Sequence, residues 1–188
     1  LNNREKMLKM YDFIEFAFFN IVAFIYSVTM IMIVPFVSVY TRNADINYIY
    51  PIFAVIFVYT SAFYILKIPS NALINISGHF KETRWRAILE AALTLGLSII
   101  LTKLLGINGV VLGTGIALAW RCLDTIVYSN KNILLCKNKK SLLRLIRVLV
   151  ILSITAFFSL KMPINITNFF AWIKYAIITS IVIIIILI

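Results

Sequence analysis

The sequence is short of charge, and above all of acidic charge. Its 188 residues include 18 Lys and Arg but only 7 Asp and Glu. Charged residues make up 13% of the chain, whereas a soluble domain has about a quarter. Hydrophobic residues make up 62% and aromatic residues 14%, which is more apolar surface than a soluble domain of this size could bury and excludes a disordered chain. The composition therefore predicts an integral membrane protein.

Residue types that carry chemistry are also scarce. There is one histidine, His79, and the two cysteines, Cys122 and Cys136, do not suggest a disulfide framework. The sequence has no glycine-rich phosphate loop, metal-ligand cluster or nucleophile–base pair, and its short connections leave no room for a catalytic domain. We therefore expect no catalytic residue, no cofactor and no metal, and hence not an enzyme but a transporter, a channel subunit or a structural bundle.

Long apolar runs are what the sequence has in abundance. A helix needs roughly 20 apolar residues to cross a bilayer, and six runs meet that requirement. The runs are continuous rather than alternating, which favours an all-α polytopic protein over a barrel. The predicted spans are 11–39, 48–75, 86–104, 107–129, 142–160 and 169–188. The third and fourth are joined at Gly106 and are predicted to form a helical hairpin.

Basic residues concentrate in the N-terminal flank and in every second connection. The basic segments contain Arg4, Lys6, Lys9, Lys81, Arg84, Arg86, Lys131, Lys137, Lys139 and Lys140. The other connections carry only Arg42, Lys103 and Lys161. Basic loops stay in the cytoplasm, so both ends of this chain are predicted to be cytoplasmic. The net charge of +11 is then mainly a topology signal, and we expect no nucleic-acid partner.

The second predicted span carries a stripe of polar side chains on one helix face. The stripe consists of Thr60, Tyr64, Lys67, Asn71 and Asn75. Pro69 removes a backbone hydrogen bond and predicts a kink beside Lys67. An ionisable group at membrane depth usually marks a pathway or a binding site. The alternative is a tilted helix in which Lys67 reaches the lipid headgroups.

The third and fourth predicted spans also carry polar residues in register. In the third span they recur every fourth residue, as Arg86, Glu90, Thr94, Ser98 and Thr102. Arg86 and Glu90 are spaced to pair along the helix. The stripe is interpreted as a cavity lining, with hydroxyls bonded to their own backbone as the alternative.

The fourth span combines small residues with an ion pair. Gly109, Gly113 and Ala117 are four residues apart, which predicts a close approach of two helices. Arg121 and Asp124 are spaced to pair. This pair is either a structural salt bridge or a gating and coupling element.

The first span begins with two carboxylates. Asp12 and Glu15 lie near the predicted cytoplasmic interface, where a helix N-terminus favours negative charge anyway. That explanation suffices for Glu15, whereas Asp12 is a candidate for proton or cation coupling. We expect the functional chemistry to lie in the first four spans.

Three segments carry a resemblance to a known family. They are the small-residue GHFKET loop at 77–83, the hairpin KLLGINGVVLGTGIAL at 103–118 and the closing YSNKNIL at 128–134. In their order and spacing, residues 76–134 resemble the bacterial polysaccharide biosynthesis flippases. These are the exporters of O-antigen and capsule repeat units in the multidrug/oligosaccharidyl-lipid/polysaccharide superfamily.

The resemblance implies a two-lobe transporter that works by alternating access in the bacterial cell membrane. This chain would be the second six-helix lobe, a piece of a longer chain, as the start at Leu1 and the apolar end at 181–188 also suggest. The implied cargo is an anionic, lipid-diphosphate-linked oligosaccharide moved from the cytoplasmic to the outer leaflet. Membrane lipid, the missing lobe and other polysaccharide assembly proteins are the implied partners.

The polar stripes then acquire expected roles. A cationic, hydroxyl-rich cavity suits a diphosphate and sugars, so Lys67 and Arg121 are expected to bind the diphosphate. The residues expected to line the route are Thr60, Tyr64, Asn71, Thr94 and Ser98. The candidates for ion coupling are Glu90, Asp124 and Asp12.

Two other functions stay open at this point. A drug or cation exporter of the same superfamily would favour buried carboxylates over buried Lys and Arg. A non-transporting membrane scaffold would use the polar stripes for helix packing alone.

Overall fold

The computed structural model describes residues 2–42, 45, 49–161, 166 and 168–187, and within them it contains helices and no strand. The helices are α1 (Asn2–Tyr40), α2 (Pro51–Leu66), α3 (Ile68–Ile76), α4 (Phe80–Leu105), α5 (Ile107–Tyr128), a π-helical segment (Ser129–Leu134), α6 (Lys139–Lys161) and α7 (Phe169–Leu187). The predicted all-α architecture is confirmed.

Six stretches of these helices are long and apolar enough to cross a membrane. They are Arg4–Tyr40, Pro51–Ile76, Phe80–Leu105, Ile107–Leu134, Lys139–Lys161 and Phe169–Leu187, which confirms the prediction of six helices of this length and apolarity. The third begins at residue 80 rather than 86, so most of the GHFKET segment is helical rather than a loop. Apolarity marks where a helix meets lipid, whereas the helix itself can continue through polar residues into water. Residues 48 and 188 of the predicted spans lie outside the described part.

The helices pack in an open row rather than a closed ring. The central helix α1 contacts α2, α6 and α7, while α5 contacts α2 on one side and α4 on the other. The largest buried apolar cluster joins α1, α2, α5 and α6, and it consists of Phe19, Val22, Ala23, Ala62, Leu66, Cys122, Ile126, Leu145, Val148 and Leu152. This core fixes the relative positions of the four helices that carry most of the buried charges.

The second span is interrupted at Lys67, as Pro69 predicts. Helix α2 ends at Leu66 and α3 begins at Ile68. Lys67 keeps a helical backbone (φ −75°, ψ −14°), and its N–H donates to the Phe63 carbonyl at 3.3 Å. Pro69 has no N–H to donate to the preceding turn, which accounts for the break, while the helical backbone of Lys67 keeps the chain from unwinding there.

The α4–α5 hairpin depends on glycine at three positions. Gly106 turns the chain with a φ of +59°, which favours glycine. Gly109 and Gly113 lie against the α4 backbone: a Cβ on Gly113 would be 2.6 Å from the Ser98 nitrogen, and a Cβ on Gly109 would collide with the Leu101 carbonyl. The predicted close approach of two helices is confirmed.

Gly113→Ala is therefore expected to destabilise the hairpin. The backbone of α4 must move to admit the added methyl group, and overpacking of this kind costs about 1–3 kcal/mol. Thermal unfolding in detergent micelles measures the effect. Gly96→Ala is the matched control, because a Cβ at Gly96 meets nothing within 4 Å. Equal melting temperatures for the two variants would contradict the close contact.

Candidate functional site

Five charged side chains meet between the α2–α3 break, α4 and α5. Lys67 lies at the break, Arg86 and Glu90 lie on α4, and Arg121 and Asp124 lie on α5. Together they form the five-residue cluster. With three cations and two carboxylates, the cluster has a formal charge of +1.

Each carboxylate of the five-residue cluster contacts two cations. Lys67 Nζ lies 2.5 Å from Glu90 Oε1, and Arg121 Nε lies 3.2 Å from Glu90 Oε2 without hydrogen-bond alignment. Arg121 Nη1 donates to Asp124 Oδ2 at 3.0 Å, and Arg86 Nη1 donates to Asp124 Oδ1. Arg121 therefore bridges the two carboxylates.

The cluster is buried on one side and open on the other. The Arg121 side chain is 5% exposed and that of Lys67 11%, whereas that of Arg86 is 41% exposed. Buried charges are tolerated only when they are paired, which explains why neither Lys67 nor Arg121 stands alone. Arg86 forms the accessible end of the cluster and also lies 4.9 Å from the Tyr128 ring centroid.

Lys67 lies inside the second span. It is ten residues before Ser77, about 15 Å along the helix, whereas Arg86 and Glu90 lie nearer the polar start of α4. Lys67 pairs with Glu90 across to α4.

One predicted pair is confirmed and another is wrong. Arg121 and Asp124 pair as their spacing predicts. Arg86 does not pair with Glu90 along α4: it reaches Asp124 on α5, and Glu90 reaches Lys67 and Arg121. An exposed pair four residues apart on a helix is worth only about 0.2–0.5 kcal/mol, whereas buried cations on the neighbouring helices interact more strongly at low dielectric.

The residues expected to line the route fall into two groups. Tyr64 is half exposed, and its ring centroid lies 5.1 Å from Lys67 Nζ, a cation–π distance. Asn71 is half-buried one turn after Lys67. Tyr64 and Asn71 therefore lie nearest to Lys67 along the second span.

The three hydroxyl residues expected in the lining are bonded to the main chain. Thr60 Oγ1 donates to the Val111 carbonyl at 3.2 Å, and Ser98 Oγ donates to the Val110 carbonyl at 3.1 Å, so both hold α5 against its neighbours. Thr94 Oγ1 donates to the Glu90 carbonyl at 2.8 Å. These contacts favour helix packing as the role of Thr60 and Ser98.

A second group of charges joins α1 to α6. Arg144 Nη1 lies 2.6 Å from Glu15 Oε2, and Arg144 Nη2 lies 2.8 Å from Asp12 Oδ1. Ser141 Oγ donates to Glu15 Oε2 at 2.9 Å, and Asn130 Nδ2 donates to Ser141 Oγ at 3.0 Å. We call Asp12, Glu15, Ser141 and Arg144 the α1–α6 cluster. Its formal charge is −1.

The α1–α6 cluster was not among the sequence predictions. The expectation that a helix-end position explains Glu15 was wrong, because Glu15 is 2% exposed and its Oε1 has no hydrogen-bond partner among the described residues. The fifth span also contributes a buried network, contrary to the restriction to the first four. Asp12 and Glu15 are three residues apart, as are Ser141 and Arg144, and these matching intervals were the available signal.

Two of the segments that carry the family resemblance touch each other. His79 Nδ1 lies 3.1 Å from the Tyr128 hydroxyl, so the GHFKET segment contacts the start of the YSNKNIL segment. His79 is half-buried rather than freely solvated. This contact closes the end of the helix bundle near Arg86.

No family model, curated protein or solved structure matches the chain. Within residues 2–42, 45, 49–161, 166 and 168–187, no group of three or more His, Cys, Asp or Glu side chains is arranged to hold a metal ion. The geometry of the two charged clusters is therefore the structural basis for a proposed function.

Proposed function

We propose that the chain is a six-span lobe of a flippase that moves a lipid-diphosphate-linked oligosaccharide across a bacterial cell membrane. The observation that carries this proposal is the pair of buried cations Lys67 and Arg121, held by Glu90 and Asp124, with the more exposed Arg86 giving the cluster its net positive charge. Intramembrane ionisable groups are expensive and mark substrate pathways. A cluster with two buried cations and a net positive charge suits an anionic substrate rather than a cation.

Transport would proceed by an exchange of partners at Lys67 and Arg121. Phosphate oxygens of the substrate would replace Glu90 and Asp124 as the partners of these cations. The Arg121 guanidinium offers paired N–H donors to a phosphate, while Lys67 offers a compact charge. When the substrate leaves, Glu90 and Asp124 would recover the two cations, so Lys67 and Arg121 would be paired at both stages of the cycle.

Ion coupling would follow from the same exchange. A carboxylate whose cation is displaced at low dielectric carries an unpaired buried charge, so Glu90 and Asp124 are the proposed ion-coupling residues. Asp12 is a further coupling candidate, because two carboxylates share one arginine in the α1–α6 cluster and Asp12 is its more exposed member.

The cargo would enter from the cytoplasmic leaflet, where the basic connections place both ends of this chain. In transporters built from repeated lobes the substrate lies between the lobes. A first lobe would therefore supply the opposite wall of the route, facing Arg86 and Tyr64. Tyr64 and Asn71 remain the proposed lining residues beside Lys67.

A cation or drug exporter is the second candidate, and the α1–α6 cluster favours it. That cluster has a negative surplus and a deeply buried Glu15. It lies on the α1–α6 side of the bundle, however, and the five-residue cluster has the opposite sign. A scaffold without transport is supported only by the packing roles of Thr60 and Ser98.

Export of repeat units in cells carrying the full-length gene tests the proposal. Lys67→Ala and Arg121→Ala are each expected to reduce export roughly tenfold or more, because truncating a buried charged partner costs several kcal/mol of binding. Lys81→Ala is the control. It removes an exposed lysine in the first turn of α4 and should leave export unchanged.

Protein level must be measured alongside export. Lys67→Arg keeps the charge and is expected to retain more export than Lys67→Ala at the same protein level. Normal export by both alanine variants at normal protein level would remove the anion-cavity proposal.

A further inference from the structure

A cavity of about 470 Å³ opens between α1, the π-helical segment and the start of α6. Its volume lies within the range of small-ligand sites, roughly 300–1,000 Å³. Its polar lining includes Lys9, Tyr11, Asp12 and Glu15 on α1, Asn130 on the π-helical segment, and Lys137, Lys139, Lys140 and Ser141. We call it the lysine cavity.

The four lysines of the lysine cavity have no carboxylate partner. None of them forms an ion pair in the part of the chain that the structure describes. Two carboxylates, Asp12 and Glu15, also line the cavity, but Arg144 already pairs with both. Four lysines and Arg144 against these two carboxylates leave a net charge of +3 at one small opening.

The start of α6 adds an independent reason to expect an anion there. Helix α6 has 23 residues and no acidic residue in its first turn, whereas the positive end of a helix dipole favours negative charge. Lys139 and Lys140 occupy this turn instead, which is the unfavourable sign. A bound anion would satisfy the lysines and the free N–H groups of the first turn together.

The position of the cavity indicates that the anion is a lipid headgroup. Leu134 ends one candidate span and Lys139 begins the next, so the opening lies at the depth of the lipid headgroups. Basic pockets between spans at this depth bind anionic lipid headgroups. We propose that the lysine cavity binds the phosphate headgroup of an anionic phospholipid. The site is separate from the five-residue cluster and does not depend on the proposed transport function.

Cys136 provides a direct readout, because it lines the cavity and is exposed, whereas Cys122 is buried. Partial desolvation of the Cys136 thiol in the cavity, with the nearby Glu15 and Asp12 carboxylates, raises its pKa. Labelling is therefore measured at pH 8.5, where more of the thiol is in the reactive thiolate form. Full-length protein is reconstituted in vesicles of phosphatidylcholine alone or with one third phosphatidylglycerol. We expect phosphatidylglycerol to slow labelling by the uncharged reagent N-ethylmaleimide at least about fivefold.

Variants distinguish lipid binding in the cavity from a general effect of membrane charge on the labelling rate. Lys137→Gln, Lys139→Gln and Lys140→Gln together should abolish the slowing, and Lys9→Gln, from the opposite wall, should reduce it. The matched triple variant Lys81→Gln, Lys103→Gln and Lys131→Gln lies outside the cavity and should keep it. Ser77→Cys in a Cys136→Ser background reports any effect of surface potential alone.

Each outcome bears directly on the proposal. Equal labelling rates in the two kinds of vesicle, or equal slowing at Ser77→Cys, would overturn it. Slowing in phosphatidylcholine vesicles by 5–10 mM inorganic phosphate, to the same extent as by phosphatidylglycerol, would show a soluble-phosphate site and would overturn the lipid assignment. The experiment measures Cys136 labelling and not repeat-unit export. Failure of the transport proposal would therefore leave the labelling result unchanged.

Discussion

Arg144→Ala is expected to lower the free energy of unfolding by about 3–5 kcal/mol, the cost of breaking a buried ion pair from one side. Arg144 is the only cation paired with Glu15 in the described part of the chain, and Glu15 is 2% exposed. Its second oxygen already lacks a hydrogen-bond partner there. The variant would therefore leave a buried carboxylate with only the Ser141 hydroxyl. Thermal unfolding of the full-length protein in detergent measures the loss.

Arg147→Ala is the matched control for this prediction. Arg147 lies three residues further along α6, is exposed, and within the described residues donates to the Leu187 carbonyl at 3.3 Å without forming an ion pair. The double variant Glu15→Gln/Arg144→Ala should recover part of the stability, because no buried charge is then left unpaired. If Arg144→Ala and Arg147→Ala lose the same stability and Glu15→Gln restores none, the α1–α6 cluster does not stabilise the fold.

The six spans could be predicted from sequence because crossing a membrane is a property of each segment by itself. Length and apolarity decide it, and neither depends on neighbouring helices. The break at Lys67 and the close approach at Gly113 were predictable for the same reason, since Pro69 and the small-residue spacing act locally. The early start of α4 at Phe80 was not, because helix formation outside lipid does not require apolar residues.

The ion pairs between helices could not be predicted in the same way. Spacing along one helix suggests only partners on that helix, such as Arg86 with Glu90, whereas the true partners lie on neighbouring helices. Which faces meet depends on the packing of α5 against both α2 and α4. Glu15 was misjudged for the same reason: distance from the end of a helix says nothing about coverage by α6.

The two clusters are attached to one apolar core. Lys67 follows Leu66, Arg121 precedes Cys122, and Arg144 precedes Leu145. The three neighbours are members of the same buried cluster, and each is at most 3% exposed. Close-packed cores transmit displacement. A change of partner at one of these three cations would therefore displace side chains that pack beside the other two. The apolar core therefore offers a physical path from the α1–α6 cluster, which contains the ion-coupling candidate Asp12, to the five-residue cluster.

Glu90→Gln is expected to separate binding of the diphosphate from its transport. Glu90 contacts both Lys67 and Arg121, so in the proposed exchange it competes with the substrate for both cations. Removal of its charge should raise the affinity for pyrophosphate roughly tenfold, equivalent to about 1.4 kcal/mol. Export should fall at least as much, because no carboxylate remains to recover Lys67 and release the substrate. Calorimetric titration of the full-length protein with pyrophosphate, together with the export assay, measures both changes.

Glu82→Gln is the control, since Glu82 lies on the same helix, is exposed and belongs to neither cluster. It should change neither pyrophosphate affinity nor export. A purely structural role for the Glu90 pairs predicts a different pattern: Glu90→Gln would lower the melting temperature while pyrophosphate binding stayed as weak as in the parent protein. That result would refute partner exchange even if export fell, because loss of export alone follows from any loss of folded protein. A rise in affinity with loss of export is explained only by competition between Glu90 and the anion for the same two cations.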